Sequence, residues 1–454
     1  MKLTRANVPL STSKLQFHLP EIRLFTLKNG LNVFFIEKNT LPIIQMTLLV
    51  NAGSRFDPTK QHGLSYLTSL LLDEGAGEYS ALELDNEIES LGSIFGISTD
   101  SDLTYLNMMT MNDKFQRSLE LFSTIFYSPL FTDDDFEREK KKLLTNIVRK
   151  YDDPSFIASV NFKKQLFNDS TYAHSVLGNL KSVESISNSD VKQFYNDNFS
   201  PSNTHLVVVG NISQARLEEN LNSYFSKSFL KPTMDNVISN PHPSNNRVFF
   251  IHKDSAAQSE IRVGHLTNKR TDPDYFSKII MNSILGGQFS SRLNLNLRED
   301  KGFTYGVSSG FYYNREFGHF QISTSVQNEN TGKAIEEINK EIYGIKESIS
   351  DEEINFAKSY LIKRFPAMFE TYSQIANNLS SLFHYSLDLE YFNNYISNIN
   401  NCSKDDINNA AQNRIINDEL KYVIVGDRKV VLPQLKSALN MDIVELDKFG
   451  IPIS

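Results

Sequence analysis

What the sequence lacks restricts its class before any motif is considered. Cys402 is the only cysteine among 454 residues, which excludes an internal disulfide framework and a metal site built from several thiolates. No apolar run approaches the ~18 residues that a transmembrane helix needs, and the N-terminal segment has no apolar signal-peptide core. The net charge is −8 and no block of Lys or Arg stands out, so nucleic-acid binding is not expected.

Motifs for hydrolytic chemistry are also missing. None of the nine histidines lies three or four residues from another, so no helix turn carries two imidazole ligands. No Ser/His/Asp grouping stands out, because the histidines are scattered along the chain, which leaves a metal-free hydrolase with a rebuilt site without support. His205, His252 and His265 lie in strand-like runs and are expected to be half-buried and hydrogen-bonded. His62 is expected to be a solvated loop or cap residue or, alternatively, a lone metal ligand.

The chain is an internal duplication, because four segments of its first half recur in the second half at nearly one offset. VFFIEK at 33–38 returns as VFFIHK at 248–253, 215 residues later. Segments that begin at Asp57, Phe131 and Ser187 also recur, 215 to 218 residues further on. Four ordered matches at one offset indicate two homologous lobes.

We place the lobes at residues 20–228 and 247–445. A linker at 229–246, rich in Pro, Asn and Ser and without periodicity, joins them. Runs of strands alternate with runs of helices, which indicates the α+β class with a mainly antiparallel sheet flanked by helices in each lobe.

Local patterns predict the elements of the first lobe. They are strands near 93–100 and 103–111 and helices at 63–74, 81–91 with the capping box Ser80-x-x-Glu83, and 133–150 with Thr132 as N-cap. The apolar face of the last helix comprises Phe136, Leu143, Leu144, Ile147, Val148 and Tyr151.

Longer stretches in both lobes carry a resemblance to a known family. They are NGLNVFFIEKNTLPIIQMTLLVNAGSRFDP and HGLSYLTSLLLDEG in the first lobe and ILGGQFSSRLNLNLREDKGFTYGVSSGF in the second. With the duplicated order, they make the chain similar to the insulinase/pitrilysin family of zinc peptidases over nearly its whole length. It is most similar to the two-lobe bacterial members and to mitochondrial processing peptidase subunits. The resemblance implies the fold of processing peptidases and LuxS-like metallohydrolases, with the lobes forming a clamshell.

Active members of this family carry H-x-x-E-H on the opening helix, where two imidazoles bind Zn²⁺ and the Glu polarises the attacking water. A Glu of the later long helix is the third protein ligand. Carried over by resemblance, the two His positions are Tyr66 and Leu70, the catalytic Glu position is Ser69, and the distal Glu position is Asn146. Tyr is a poor zinc ligand at neutral pH and Leu has no lone pair, so no cofactor is expected in this chain.

The second lobe keeps residue types that the family uses on substrate. Arg298 and Tyr305 match the family's Arg/Tyr pair, in which the Tyr helps to hold the tetrahedral oxyanion and the Arg orients the peptide. The alternative from the residues alone is an Arg298 paired with Glu299 or Asp300 and a Tyr305 in the sheet core.

Glycines flank this pair and have structural alternatives of their own. Gly286 and Gly287 either allow close backbone approach to a peptide or end the helix before them. Gly302 is expected to end the helix that contains Arg298.

The resemblance implies a non-catalytic, substrate-binding subunit of a heterodimeric zinc metallopeptidase that degrades or processes short or unfolded peptides. Such a chain is inactive alone, and its partner, a homologous H-x-x-E-H subunit, binds the zinc. The alternative is a scaffold or assembly protein that keeps the fold and has no peptidase role. A soluble location in the bacterial cytoplasm or periplasm is expected in both cases.

Overall fold

A computed structural model describes residues 17, 19–168, 170–227 and 239–453. The predicted linker lies only partly within this range: positions 229–238 are outside the described residues, and 239–246 contain neither helix nor strand. The lobe boundaries at 20–228 and 247–445 stay predictions.

The described residues of the first half form strands and helices in the expected order. Their bounds are β1 (Arg23–Thr26), β2 (Asn32–Glu37), β3 (Ile43–Val50), α1 (Leu64–Leu70), α2 (Ala81–Ser90), β4 (Ile94–Thr99), β5 (Thr104–Met111), α3 (Phe115–Tyr127), α4 (Asp133–Lys150), α5 (Pro154–Phe167), α6 (Leu180–Glu184), α7 (Asn188–Asn198), β6 (Thr204–Gly210) and α8 (Gln214–Tyr224).

The second half repeats this order. Its bounds are β7 (Val248–His252), β8 (Gln258–Thr267), α9 (Tyr275–Leu285), the π-helical segment Asn294–Asp300, β9 (Val307–Tyr313), β10 (Gly318–Gln327), α10 (Thr331–Glu347), α11 (Asp351–Arg364), α12 (Tyr372–His384), α13 (Tyr395–Asn401), α14 (Lys404–Arg414), β11 (Lys421–Gly426), α15 (Arg428–Ala438) and β12 (Ile443–Leu446).

The two halves build six-stranded sheets with matching strand order, β1-β2-β6-β3-β5-β4 and β12-β7-β11-β8-β10-β9. Both are mixed and mainly antiparallel, which confirms the predicted fold class. They differ at one edge. There β1 runs antiparallel to β2, whereas β12, from the end of the chain, runs parallel to β7. The duplication therefore reproduces the sheet but supplies one edge strand from the opposite end of the sequence.

Each sheet is covered on one face by a helix from the other half. Helix α5 packs on β8 and β11, and its repeat α12 packs on β3 and β6. The core consequently mixes the lobes: Phe249 and Val423 belong to the apolar cluster of the first half, while Phe34 and Val207 belong to that of the second. None of the described helices combines the length and apolar character needed to cross a membrane.

Several local predictions are confirmed. Ser80 and Glu83 form the expected capping box at the start of α2, and the Thr132 side chain accepts a hydrogen bond from Asp135 N at the start of α4. On α4 the predicted apolar face is buried except at its rim, where Leu144 is half-buried and Val148 is 51% exposed.

The opening helix α1 is shorter than predicted, because it ends at Leu70 rather than near residue 74. After Leu70 the chain tightens, with Leu71 N donating to Thr68 O at 3.2 Å and Leu72 N to Ser69 O at 3.4 Å. This turn lets Glu74 reach Arg138 on α4 and pair with it. The apolar run Leu70 to Leu72 continues the helical pattern in sequence, but the helix ends at Leu70 and the chain turns away through Gly75, whose φ of +106° is left-handed.

A buried carboxylate joins the two lobes. Asp102, which is 2% exposed, accepts hydrogen bonds from Tyr172 Oη at 2.6 Å and from the backbone N of Arg315 at 2.9 Å. His384 Nε2 lies 3.0 Å from Asp102 Oδ2, and Arg55 Nε lies 3.3 Å from Asp102 Oδ1. Burial alone would raise the pKa of Asp102, but hydrogen bonds from His384, Tyr172 and the Arg315 amide outweigh it and leave the pKa below the usual range.

We expect Asp102→Asn to lower the free energy of unfolding by roughly 3 kcal/mol, because it removes the charge that its buried partners need. Urea unfolding followed by tyrosine fluorescence measures the change, since the chain has no tryptophan. The control is Asp113→Asn, whose wild-type side chain is 67% exposed and which should stay within about 0.5 kcal/mol of wild type.

Acid should erase the difference between Asp102→Asn and wild type. Folding lowers the pKa of Asp102. The carboxylate therefore contributes fully to the free energy of unfolding at pH values above the pKa of the unfolded state, about 3.9, and this contribution disappears as the pH falls through the pKa of the folded state. A difference that persists at pH values where the folded carboxyl is protonated would contradict this assignment.

Candidate functional site

The structure brings α1 and α4 together, as the resemblance implies for a zinc motif, but the side chains at the four positions carried over by resemblance make other contacts. Tyr66 on α1 is half-buried and packs against the first core, and this burial raises the pKa of its hydroxyl. Ser69 is 2% exposed and its Oγ donates to Tyr66 O at 2.7 Å. Both side chains are part of the packing of the helix.

The remaining two positions supply no ligand set either. Leu70 is the last residue of α1, and the Asn146 Oδ1 on α4 accepts a hydrogen bond from Arg149 at 3.2 Å. Within the described residues, no group of three His, Cys, Asp or Glu side chains is arranged to hold a metal ion. The side chains at these positions therefore do not fit Zn²⁺, which needs nitrogen, thiolate or carboxylate donors.

An acidic cluster occupies the space beside these positions and was not predicted. Burial, with the nearby Glu139 charge, raises the pKa of Asp73 to about 6 and that of Glu74 to about 7. Arg138 pairs with both Glu74 and Glu139, and Lys142 Nζ lies 2.6 Å from Glu139. These contacts tie the end of α1 to α4 without a metal.

The histidines differ in part from their predicted environments. His62 is half-buried and stacks on His174 with ring centroids 3.5 Å apart, so the prediction of a solvated loop residue is wrong. Burial lowers the pKa of His62 and brings that of His174 to about 3. His265 is hydrogen-bonded as predicted but fully buried, and His252 is exposed while accepting from Arg428 N. His205 is half-buried as predicted, but its buried Nδ1 has no hydrogen-bond partner among the described residues.

Arg298 and Tyr305 lie on either side of a sharp turn on the surface of the second lobe. Arg298 is held at 3.0 Å from Glu299 and stacks over the Phe289 ring at 4.0 Å, with 30% of its side chain exposed. Tyr305 is 93% exposed and so is not in the sheet core. Gly302 between them has φ +63°, a left-handed conformation that favours glycine, and the helix ends before it as predicted.

Gly286 and Gly287 end α9, which is the structural alternative given for them. The amides of both glycines bond to Asn282 O, at 2.9 and 2.8 Å. A Cβ on Gly286 would lie 2.5 Å from Ser309 Oγ on β9. Helix termination and close packing on β9 account for both residues, and an approach to peptide stays a prediction.

A cavity with a volume of about 1240 Å³ lies between the two sheets. Its walls are β4, the turn 100–102, the end of β9, and the facing surfaces of α5 and α12. Strand β4 is an edge strand: in the described sheet it pairs only with β5, and its residues alternate between exposed and half-buried. An edge strand on a cavity wall is a template for an added strand.

Sequence reasoning missed the polar residues of this cavity. Asp102, Lys163, His319 and His384 all line it, but they come from four distant segments that only the fold brings together. Asp102 follows a strand-like run and Lys163 lies in a helix, where a charged residue normally indicates a solvated surface. No spacing rule connects them.

Models of known protein families match both halves of the chain. Residues 33–179 match the model described as "Insulinase (Peptidase family M16)", and residues 185–361 match "Peptidase M16 inactive domain". Together the two matches cover more than half of the chain.

Individual relatives agree with these matches. The chain is 23% identical over 406 residues to the "Non-peptidase homolog YmxG" of Helicobacter pylori, covering 87% of this chain and 92% of that protein. It is 24% identical over 353 residues to the "Zinc protease PqqE" of the same organism, covering 76% and 78%. A crystal structure titled as the peptidase M16 inactive domain from Pseudomonas fluorescens superimposes with TM-score 0.83 and 25% identity, over 90% of this chain and 98% of that one.

We expect the variant Tyr66→His/Leu70→His/Asn146→Glu to bind one zinc ion per chain, because it restores two imidazoles one turn apart and a carboxylate on the helix packed beside them. Ser69 is left unchanged, since a buried Glu there would be costly and is not a ligand. Metal analysis after dialysis gives the stoichiometry, and wild type should hold well below one zinc.

The matched control carries Asn146→Gln instead of Asn146→Glu, which keeps a similar size without the third charged ligand. It should lose zinc during dialysis that the first variant retains. A correctly folded first variant without zinc would show that these three positions are wrongly aligned.

Proposed function

The chain belongs to the insulinase family of peptidases, M16, and we propose that it is the non-catalytic, substrate-binding subunit of a heterodimeric zinc metallopeptidase. In this proposal a homologous subunit with an intact H-x-x-E-H motif binds the zinc and supplies the attacking water. This chain supplies Arg298 and Tyr305 to the reaction and a surface for short or unfolded peptides.

The exposure of Tyr305 is the observation that carries the proposal. A tyrosine that is 93% exposed contributes little to its own fold. Neither Tyr305 nor Arg298 lines the described cavity between the lobes of this chain. Tyr305 is therefore open to a second protein and Arg298 is partly open to it. The side chains at Tyr66 and Leu70 give them no metal centre of their own to serve.

The surroundings of Arg298 suit it to bind a peptide. The ring of Phe289, which is 66% exposed, stacks on the guanidinium group of Arg298. The Glu299 carboxylate forms an ion pair with one nitrogen of that group. Arginine carries five N–H donors, so others remain for a peptide carbonyl or carboxylate. A tyrosine hydroxyl across the scissile bond can donate to the oxyanion of the tetrahedral intermediate, a contact that forms fully only in the transition state.

The cavity suits an extended peptide. A segment that adds to the free edge of β4 would bond through its backbone, and the pattern of side chains would matter little. The volume of about 1240 Å³ exceeds that of a site for a single drug-sized ligand. Both features support peptides as the substrate class, bound with little selectivity for their sequence.

We expect Tyr305→Phe and Arg298→Ala each to lower kcat/KM of the reconstituted heterodimer by about 100-fold, the usual cost of losing one oxyanion donor. The assay mixes the purified chain with its H-x-x-E-H partner and follows cleavage of an unstructured fluorogenic peptide. The chain alone should cleave nothing.

Tyr343→Phe is the control for Tyr305→Phe, since it removes a hydroxyl from another exposed tyrosine, on α10. It should leave the rate unchanged, and size-exclusion chromatography should show intact heterodimer for every variant. Full activity of both Tyr305→Phe and Arg298→Ala would overturn the proposal and favour a scaffold role.

A further inference from the structure

Helix α5 places a free amine on the wall of the central cavity. Lys163 lines this cavity, and none of the hydrogen bonds or ion pairs between described residues involves its Nζ. The neighbouring Lys164 has other partners, with its Nζ donating to Phe449 O at 3.1 Å and Gly450 O at 3.0 Å. Of two consecutive lysines, one is structural and the other faces a large cavity without a partner.

No carboxylate of the described cavity forms an ion pair with the Lys163 ammonium group. Asp100 attracts Lys163 at a distance, but its oxygens accept from Asp102 N at 2.7 Å, Leu103 N at 2.8 Å and Tyr105 Oη at 2.8 Å. Asp102 is committed to the contacts between the lobes. Because surrounding protein also lowers the pKa of Lys163, an ammonium ion here gains most from an anion that enters the cavity.

The neighbouring imidazole adds no competing positive charge. His319 on β10 is 6% exposed, and burial together with the Lys163 charge lowers its pKa to about 3, so the ring is neutral. Its buried Nδ1 has no hydrogen-bond partner among the described residues. Lys163 is thus the cation on this wall, beside a neutral ring.

We propose that Lys163 anchors a carboxylate of the peptide held in the central cavity. This inference rests on the proposed function for the class of ligand, a peptide, and adds that an anionic group fixes its position. Strand β4 lines the cavity along its length and runs into the turn 100–102, so a peptide added to β4 lies in the same space as the amine. The carboxylate comes from the C-terminus of the peptide or from an acidic side chain.

Binding of three labelled peptides to the isolated full-length chain tests the anchor, with fluorescence anisotropy as the readout. All are unstructured decapeptides: one with a free C-terminal carboxylate, one with a C-terminal amide, and an amide with a single internal Glu. Wild type should bind at least one carboxylate form about 10-fold tighter than the plain amide, as expected for a hydrogen bond to a charged group. Preference for the peptide with the free C-terminus identifies that terminus as the source of the bound carboxylate. Preference for the amidated peptide with an internal Glu identifies an acidic side chain as the source.

Lys163→Gln should reduce the preferred peptide to the affinity of the plain amide, and Lys163→Arg should retain most of the preference. Lys164→Gln is the matched control and should keep the preference of wild type. Lys163→Gln removes only an unpaired charge, and circular dichroism checks that it folds.

Equal binding of all three peptides by wild type, absence of binding, or a preference that survives in Lys163→Gln overturns the anchor. The failure of the subunit function is recognised separately, because the loss of rate caused by Arg298→Ala and Tyr305→Phe is measured against wild type with Lys163 present in every chain.

Discussion

Asp102 is the contact on which the arrangement of the two lobes depends. A carboxylate buried to this degree is stable only if it is paired and hydrogen-bonded, and its partners come from both halves: Arg55 and Tyr172 from the first, Arg315 and His384 from the second. Separation of the lobes would leave the charge without half of its partners. The exchange of α5 and α12 between the sheets also holds the lobes together, because each helix buries its apolar face on the strands of the other lobe. Together they fix the walls of the central cavity.

The structure separates the fold of the family from its metal chemistry. The helices α1 and α4 still pack together, but Ser69 and the pairing of Glu74 with Arg138 now stabilise that region. The edge of β4 and the cavity persist because they follow from the sheet topology and not from the metal ligands. A chain without an H-x-x-E-H motif can therefore form a peptide-sized space, because the fold alone builds it.

Sequence patterns were reliable where a local signal had a local cause. The capping residues Ser80 and Thr132 and the left-handed Gly302 are set by backbone groups within a few residues, and the structure shows each of them. Sequence patterns were unreliable where a residue far away in the chain contacts the segment and affects its local structure. Glu74, just beyond α1, pairs with Arg138, and the environment of His62 depends on His174. Neither partner can be found from periodicity, because periodicity reports only which face of an element is buried.

The sequence by itself determined the duplication, the order of strands and helices, and the absence of an H-x-x-E-H motif, since these follow from residue identity and spacing along the chain. The tertiary structure alone decided that β12 replaces β1 at the edge of the second sheet, that Tyr305 faces outward, and that Lys163 is left without a partner in a cavity. The physical reason is that pairing, burial and electrostatic compensation depend on residues far apart in the chain. Their distances are set only when the two lobes close on each other.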